Sequence, residues 1–458
     1  MERVDERTGL HAAPRSGGSD RDRSADRPRI APSPIGPGSH TSDAIAVGRV
    51  ICILGIVYVH AWTGLTGPEL AASSRTAQGL LRWVLSELFG RSAVPLLSMI
   101  SGWLVVDAVR KRTWKAFVTS KARTVLLPMA LWNAIAIVLV GGAAQAGWLS
   151  APRPASWAWA VNELFCLTQP DDINVQMPFL RDLFVCMLAA PVLVRLGDAV
   201  LLAIAAAAAA VTILNLDVAV LLRPTILSFF VCGMLARRSD WPWRIAVSPL
   251  AFVAAPYGLL ALARVWFETH GAGDGATWAP FMAGAPFMAG FDLVMRASAA
   301  VFAWSLAWRL ARGRLAPLLL RIEPFMFLMF CAHLVILWFA GPLVGLITGP
   351  MGSPLYPVFL ILQPLLVLTA VIGLGLGLLR LAPRAATLLS GGRLRLRAPG
   401  SAWVGAPSAH VIEAECGSAG ERAPERPGRA SRFSSSGALR NPTYDQSHHL
   451  GRRTRGGG

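Results

Sequence analysis

Long apolar segments alternate with short polar ones along most of the chain, and this alternation predicts membrane-spanning helices. A helix needs roughly 20 apolar residues to cross about 30 Å of hydrocarbon, and ten segments approach or exceed that length. These segments lie near residues 44–65, 84–106, 124–143, 178–196, 199–217, 221–236, 245–263, 284–310, 324–346 and 355–381. The pattern therefore predicts an all-α, polytopic membrane protein with about ten transmembrane helices.

The two ends of the chain do not continue this pattern. Residues 1–43 and 382–458 are rich in polar, basic and loop-forming residues and carry too little apolar surface to form a core. Residues 1–43 also lack the apolar stretch of a signal peptide. We therefore expect a disordered N-terminal tail over 1–43, a transmembrane domain over 44–381 and a disordered, basic C-terminal tail over 382–458.

The distribution of charge indicates how these helices are oriented. The chain is 54% hydrophobic and 15% charged, which excludes an ordinary soluble protein, and its net charge is +17. The basic residues lie in the tails and in loops near 110–123, 237–244 and 309–314 rather than in one patch, which argues against a nucleic-acid partner. Because Lys and Arg are retained on the cytoplasmic side, we expect a multi-pass protein of the inner (plasma) membrane with both termini cytoplasmic.

The first apolar segment contains two ionisable residues in the stretch RVICILGIVYVH, which runs from Arg49 to His60. Ionisable groups are costly inside lipid, so their presence in a span is a hypothesis of function. Eleven positions correspond to a rotation of about 1100°, within roughly 20° of three full turns, and to a rise of ~16 Å. Both side chains should therefore face the same direction. Taken singly, Arg49 is equally well explained as an anchor that reaches the headgroups, and His60 as a donor in helix packing.

Several stretches resemble, in chain order, those of the acyltransferase type 3 family of integral-membrane O-acyltransferases. The similar stretches are Arg49 to His60, AVPLLSMISGWLV (93–105), KARTVLLPMALWN (121–133), PFLRDLFVCMLAAPVL (178–193) and FMFLMFCAHLVIL (325–337). Members of this family acetylate or succinylate bacterial surface glycans, periplasmic glucans, nodulation factors and antibiotics. The resemblance implies an enzyme that moves an acyl group, acetyl in the first instance, from acyl-CoA to a hydroxyl of an exported or cell-surface glycan or glycolipid.

The same resemblance implies roles for individual residues. His60 would act as the general base, and Arg49 and Arg123 would bind the phosphates of the donor, for which imidazole and guanidinium are chemically suited. Ser101 and His333 are further catalytic candidates, although helix packing explains Ser101 better and His333 equally well.

The partners implied are acyl-CoA, a carbohydrate or glycolipid acceptor and membrane lipid. Acyl-CoA would be a substrate, so no permanently bound cofactor and no metal site is expected. The sequence indicates no oligomeric state.

Two other classes of function stay open at this point. A membrane transporter or flippase of a polar or lipid-linked substrate would use buried Arg and His as a substrate or proton relay. A scaffolding protein would act through its Arg-rich tails on anionic lipid. The first predicts transport without acyl-CoA, and the second predicts that His60 is dispensable whereas the tails are not.

Overall fold

The computed structural model describes residues 39–168, 173–218, 220–270 and 285–395, and these residues form helices joined by short turns. Most of both predicted tails, residues 1–38 and 396–458, lies outside the described residues. The helices of the first half are α1 (Ser39–Val59), α2 (Gly67–Ala72), α3 (Ala77–Leu85), α4 (Ala93–Arg110), α5 (Trp114–Lys121), α6 (Leu127–Ala136), α7 (Gly142–Gln145), α8 (Trp157–Phe165) and α9 (Met177–Leu193). Those of the second half are α10 (Asp198–Ile213), α11 (Pro224–Arg237), α12 (Trp241–Val247), α13 (Leu250–His270), α14 (Ala285–Leu310), α15 (Ala316–Ile322), α16 (Met326–Thr348), α17 (Tyr356–Leu381) and α18 (Pro383–Leu389).

Each of the predicted spans coincides with a helix, but the helices differ in length. Seven helical runs within the described residues are long and apolar enough to cross a membrane: His40–Val59, Ala77–Arg110, Trp114–Gln145, Leu250–Phe267, Pro286–Leu310, Ala316–Thr348 and Tyr356–Leu381. Two of these runs contain helices joined by π-helical turns. The run Ala77–Arg110 continues through the turn Ser86–Gly90, and the run Trp114–Gln145 continues through the turns Ala122–Leu126 and Ile137–Gly141.

The three remaining predicted spans are shorter helices. α9, α10 and α11 contain 17, 16 and 14 residues, and 14 residues rise only about 21 Å. Asn215, with a positive φ of 51°, follows the end of α10, and Pro224 opens α11. The all-α, polytopic class is therefore confirmed, whereas ten crossings are not.

Basic loops gather at one end of the helix bundle, as their spacing along the chain predicts. Arg237 Nε lies 3.2 Å from Asp107 Oδ2, which joins the ends of α4 and α11. The guanidinium of Arg312 lies against the rings of Trp308 and Trp243, at 4.6 and 6.0 Å from their centroids. The start of α1 packs in the same cluster through Ala44. We call this end of the bundle the basic end.

The backbones of α4 and α11 approach each other at two glycines. A methyl group at Gly102 would collide with the carbonyl oxygen of Phe230, and one at Gly233 would collide with that of Met99. Small residues permit this kind of approach between membrane helices. Ser101 lies beside this contact, and its Oγ donates to the Leu97 carbonyl at 2.8 Å.

The described chain continues past the boundary predicted at residue 381. Trp132 Nε1 donates to the carbonyl of Leu389, the last residue of α18, at 3.1 Å, and the amide of Leu394 donates to Ser390 Oγ at 2.9 Å. The prediction that disorder begins at residue 382 is therefore wrong for residues 383–395. This stretch is too short to build a core of its own and packs on the bundle instead.

Substitution of Gly102 by valine is expected to force α4 away from α11 and to lower the free energy of unfolding by about 1–3 kcal/mol, the usual cost of overpacking. Thermal unfolding in detergent would measure it. Gly373→Val in α17 is the matched control, because a methyl group there meets no atom within 4 Å. Equal melting temperatures for both variants would contradict the close approach.

Candidate active site

Arg49, on α1, forms an ion pair with a residue that lies 274 positions further along the chain. Its Nη1 is 3.0 Å from Glu323 Oε1, and the two side chains are 18% and 7% exposed. Glu323 opens the 3-10 turn Glu323–Phe325, which connects α15 to α16. A guanidinium so placed needs a carboxylate, because an unpaired buried charge is costly.

His60 follows the last residue of α1 and lies beside His333 of α16, with 5.5 Å between the ring centroids. Arg49 and His60 are eleven positions apart, and their partners Glu323 and His333 are ten apart on the continuous run Ala316–Thr348. α1 and this run therefore lie side by side with the same polarity. The prediction that Arg49 and His60 face the same direction is confirmed.

The hydrogen bonds of His333 determine which of its ring nitrogens carries the proton. Nδ1 lies 2.8 Å from the Phe330 carbonyl oxygen and 3.2 Å from that of Met329. A carbonyl oxygen can only accept, so Nδ1 bears the hydrogen and Nε2 keeps its lone pair in the neutral ring. Within the described residues, Nε2 is buried and has no hydrogen-bond partner. His333 therefore offers an unused acceptor close to His60.

His60 also lines a cavity of about 1020 Å³ at the end of the bundle opposite the basic end. The charged residues in its wall are Arg82, Glu87, Arg91, Asp217, Arg223, Asp292 and Arg296. Arg91 binds both Glu87 and Asp292 at 2.6–2.7 Å, and Asp292 also binds Arg296 at 2.5 Å. In contrast, Nε of Arg82 is buried without a hydrogen-bond partner in the described part of the chain. The cavity has charged and polar side chains among apolar ones in its wall and is large enough for a sugar-sized ligand.

The other two candidates from the sequence lie elsewhere. Ser101 is not among the cavity-lining residues, and packing of α4 against α11 accounts for its surroundings. Arg123 is exposed on the π-helical turn Ala122–Leu126, and no contact joins it to Arg49 among the residues described. The structure thus brings His60 and His333 together, but it does not bring Ser101 or Arg123 to them. Their roles stay predictions.

Sequence reasoning missed two residues near Arg49. Glu323 is the only acidic residue in the sequence from 316 to 348, so a lone acid could have been matched with the lone arginine of the first span. Arg393 follows α18, and its guanidinium lies over the Phe327 ring, 4.0 Å from the centroid. Burial, followed by the charge of Arg49, lowers the pKa of Arg393 to about 10. No sequence pattern marked it, since it lies in the stretch expected to be disordered.

Comparison with known proteins shows the family of this chain. A family model described as an acyltransferase domain matches residues 42–379. The chain belongs to this acyltransferase family. It is accordingly an acyltransferase enzyme and a multi-pass membrane protein, and the matched residues contain both the Arg49–Glu323 and the His60–His333 pairs.

One relative of this membrane acyltransferase is the succinoglycan biosynthesis protein ExoH of Rhizobium meliloti (strain 1021). The two are 28% identical over 383 residues, which cover 78% of this chain and 93% of the relative. No solved structure gives a significant match.

The Arg49–Glu323 pair is expected to stabilise the acyltransferase. Glu323→Gln should lower the free energy of unfolding by about 1–3 kcal/mol, because it leaves a partly buried guanidinium without its counter-charge. A double-mutant cycle with Arg49→Met, followed by thermal unfolding, would measure the coupling between the two side chains.

Asp107→Asn provides the control for this cycle. It removes the more exposed ion pair with Arg237, whose side chains are 27% and 45% exposed, and such pairs contribute only about 0–1 kcal/mol. Equal losses at Asp107 and Glu323 would contradict a stabilising role specific to the Arg49 pair.

Proposed function

We propose that this enzyme transfers an acyl group, acetyl in the first instance, from acyl-CoA to a hydroxyl of an exported or cell-surface polysaccharide or glycolipid. The observation that carries the proposal is His60, which lines a cavity at one end of the bundle and lies beside the buried ring of His333, with Arg49 near the other end. The family supports acyl transfer, and the name of the relative, a succinoglycan biosynthesis protein, supports a polysaccharide acceptor.

In this proposal, His60 is the general base. The acceptor hydroxyl attacks the thioester carbonyl while His60 takes its proton, and an ester bond forms as the carbon–sulfur bond breaks. The proton held by His60 then passes to the leaving thiolate, which departs as free CoA. Imidazole suits both transfers because its ordinary pKa lies near neutrality.

His333 is proposed to act through His60 rather than on the substrate. Its ring is fully buried and is not part of the cavity wall, whereas its Nε2 lone pair lies on the ring that neighbours His60. When His60 has taken a proton it becomes an imidazolium with two N–H donors. Nε2 of His333 would accept from one of them and stabilise the charge, in the way that the third member of a catalytic triad orients its histidine.

The donor is proposed to bind with its phosphates at the basic end. Arg49, helped by Arg123, would pair with the phosphates, and the acyl end would reach His60 across a helical rise of ~16 Å. Ile53 and Ile56 lie between Arg49 and His60 on the same face of α1 and are buried, so the pantetheine arm would follow this apolar path beside α16. The basic end would then be cytoplasmic in the inner membrane, with both termini on that side.

The acceptor is proposed to enter the cavity of about 1020 Å³ from the opposite side of the membrane. Arg82 supplies a buried N–H that a sugar oxygen could accept from, and Thr168 and Gln176 add polar groups to the same wall. A few polar groups placed in a largely apolar wall fix the orientation of a ligand, and here they would bind the hydroxyls of a sugar.

Replacing His60 by alanine is expected to reduce acyl transfer by about 10²–10⁴-fold, the usual contribution of a positioned base. The measurement is transfer of label from acetyl-CoA, and separately from succinyl-CoA, to extracted envelope polysaccharide by membranes with matched amounts of protein. His40→Ala is the control, since His40 is exposed in the first turn of the same helix. Protein-dependent transfer that survived His60→Ala would remove His60 as the base, and its complete absence with both donors would contradict the proposed reaction.

Two amide substitutions at His333 distinguish a role in catalysis from one in packing. The amide of Asn can donate to the Phe330 carbonyl as Nδ1 does but offers nothing at the place of Nε2, whereas the longer Gln can present an acceptor there. We expect His333→Asn to lower kcat about tenfold or more and His333→Gln to retain more activity, with the pH dependence of kcat displaced in the Asn variant. Equal kcat values and unchanged pH profiles would show that His333 only packs.

A further inference from the structure

The stretch that follows α17 brings a second arginine to the Arg49 end of the bundle. α18 is held against α6 by the hydrogen bond from Trp132 to Leu389. The chain then turns at Gly391, whose φ is +60° and where a methyl group would collide with the Thr124 carbonyl oxygen. This turn directs Arg393 onto the ring of Phe327, at the start of α16.

Arg393 has few protein partners for a guanidinium in this position. A guanidinium carries five N–H donors, yet in the described residues Arg393 donates one hydrogen bond, from Nη1 to the Ser390 carbonyl at 3.3 Å, and forms no ion pair. Glu323 is close enough to act on Arg393 electrostatically but forms its salt bridge with Arg49. A positive group in such surroundings is costly unless an anion pairs with it.

The geometry around Arg393 suits a phosphate. The guanidinium lies over the Phe327 ring, 4.0 Å from its centroid, and the ring cannot accept all five N–H groups, so two of those that remain could bind two oxygens of one anion. Arg49 lies close enough for its charge to disfavour the charge of Arg393, so an anion between the two would relieve their repulsion as well as bind to both.

From these contacts we infer that Arg393 binds a phosphate of the acyl donor, so that the C-terminal segment 383–395 completes the donor site begun by Arg49. This inference rests on the proposed function for the identity of the donor. Residue 393 lies beyond the residues matched by the family model, 42–379. The segment is therefore a part of the site that the acyltransferase domain alone does not contain.

Kinetics with two donors test this role in the full-length protein in nanodiscs of phosphatidylcholine. Arg393→Gln should raise KM for acetyl-CoA, and Kd for CoA, at least about tenfold, since charge-assisted bidentate contacts are lost. Its kcat, and its kcat/KM for acetyl-pantetheine, which has no phosphate, should equal those of the parent. Arg395→Gln is the matched control, because Arg395 is exposed two positions away.

Arg393→Lys covers the case in which the glutamine variant does not fold. Lysine keeps the charge over Phe327 but loses the planar pair of donors, so its Kd for CoA should rise by a smaller factor while its melting temperature stays that of the parent. An unchanged Kd for CoA in either folded variant overturns the inference. So does a lowered melting temperature with unchanged Kd, which would make Arg393 an anchor for the segment.

Two further outcomes separate this inference from its alternatives. The first uses nanodiscs that contain phosphatidylglycerol. If Arg393→Gln bound less of this lipid but kept the parent's Kd for CoA, the anion at Arg393 would be a lipid headgroup and the inference would be wrong. If the parent itself bound no CoA, the donor of the proposed function would be wrong and the inference would fail with it. A parent that binds CoA and variants that bind it equally well would refute the role of Arg393 alone.

Discussion

The need to pair one guanidinium inside a membrane domain fixes the arrangement of the site. Arg49 lies within an apolar helix, and Glu323 supplies its carboxylate from the start of another. Once that pair forms, α1 and the run Ala316–Thr348 are aligned with the same polarity. His60 then arrives beside His333, because eleven and ten residues of helix rise by nearly the same distance, about 16 and 15 Å. One ion pair therefore sets the register of the two imidazoles.

The same register would separate the two tasks of the proposed mechanism, which are to bind the donor phosphates and to remove the proton of the acceptor hydroxyl. Phosphates are bound by cations, whereas an imidazole base has to lie within hydrogen-bond reach of the hydroxyl whose proton it takes. The ~16 Å of helix between Arg49 and His60 would separate the phosphate-binding arginine from the base in this mechanism, and the arginines nearer His60 line the cavity proposed for the acceptor. His333, with its proton fixed on Nδ1 by two carbonyls, supplies an acceptor rather than a second cation.

The features that the sequence predicted correctly depend on residues close together in the chain. The features that it missed depend on contacts between residues far apart in the chain. Helical geometry alone placed Arg49 and His60 on one face, and apolar length alone located every long helix. Ten crossings are not confirmed, because α10 ends before the left-handed Asn215 and α11 begins only at Pro224, and a count of apolar residues does not detect either limit. The partner of Arg49 lies 274 residues away, and no rule of spacing connects such positions. Ser101 was a candidate because it resembled a motif, yet the close approach at Gly102 explains the same residues by packing.

Arg393 lies in a different part of the chain from the residues proposed to carry out the chemistry. The matched residues 42–379 contain the histidine pair and the Arg49–Glu323 pair, so the groups proposed to carry out acyl transfer all precede the C-terminal segment. That segment contacts the bundle at Leu389 and Gly391, on the side of Trp132 and Thr124, and at Arg393, which lies over Phe327 at the start of α16. If Arg393 binds the donor as proposed, a substitution of its side chain would weaken phosphate binding, while the Arg49–Glu323 pair would keep α1 aligned with α16. In the proposed mechanism, affinity for the donor and the position of the base would be controlled by different parts of the chain.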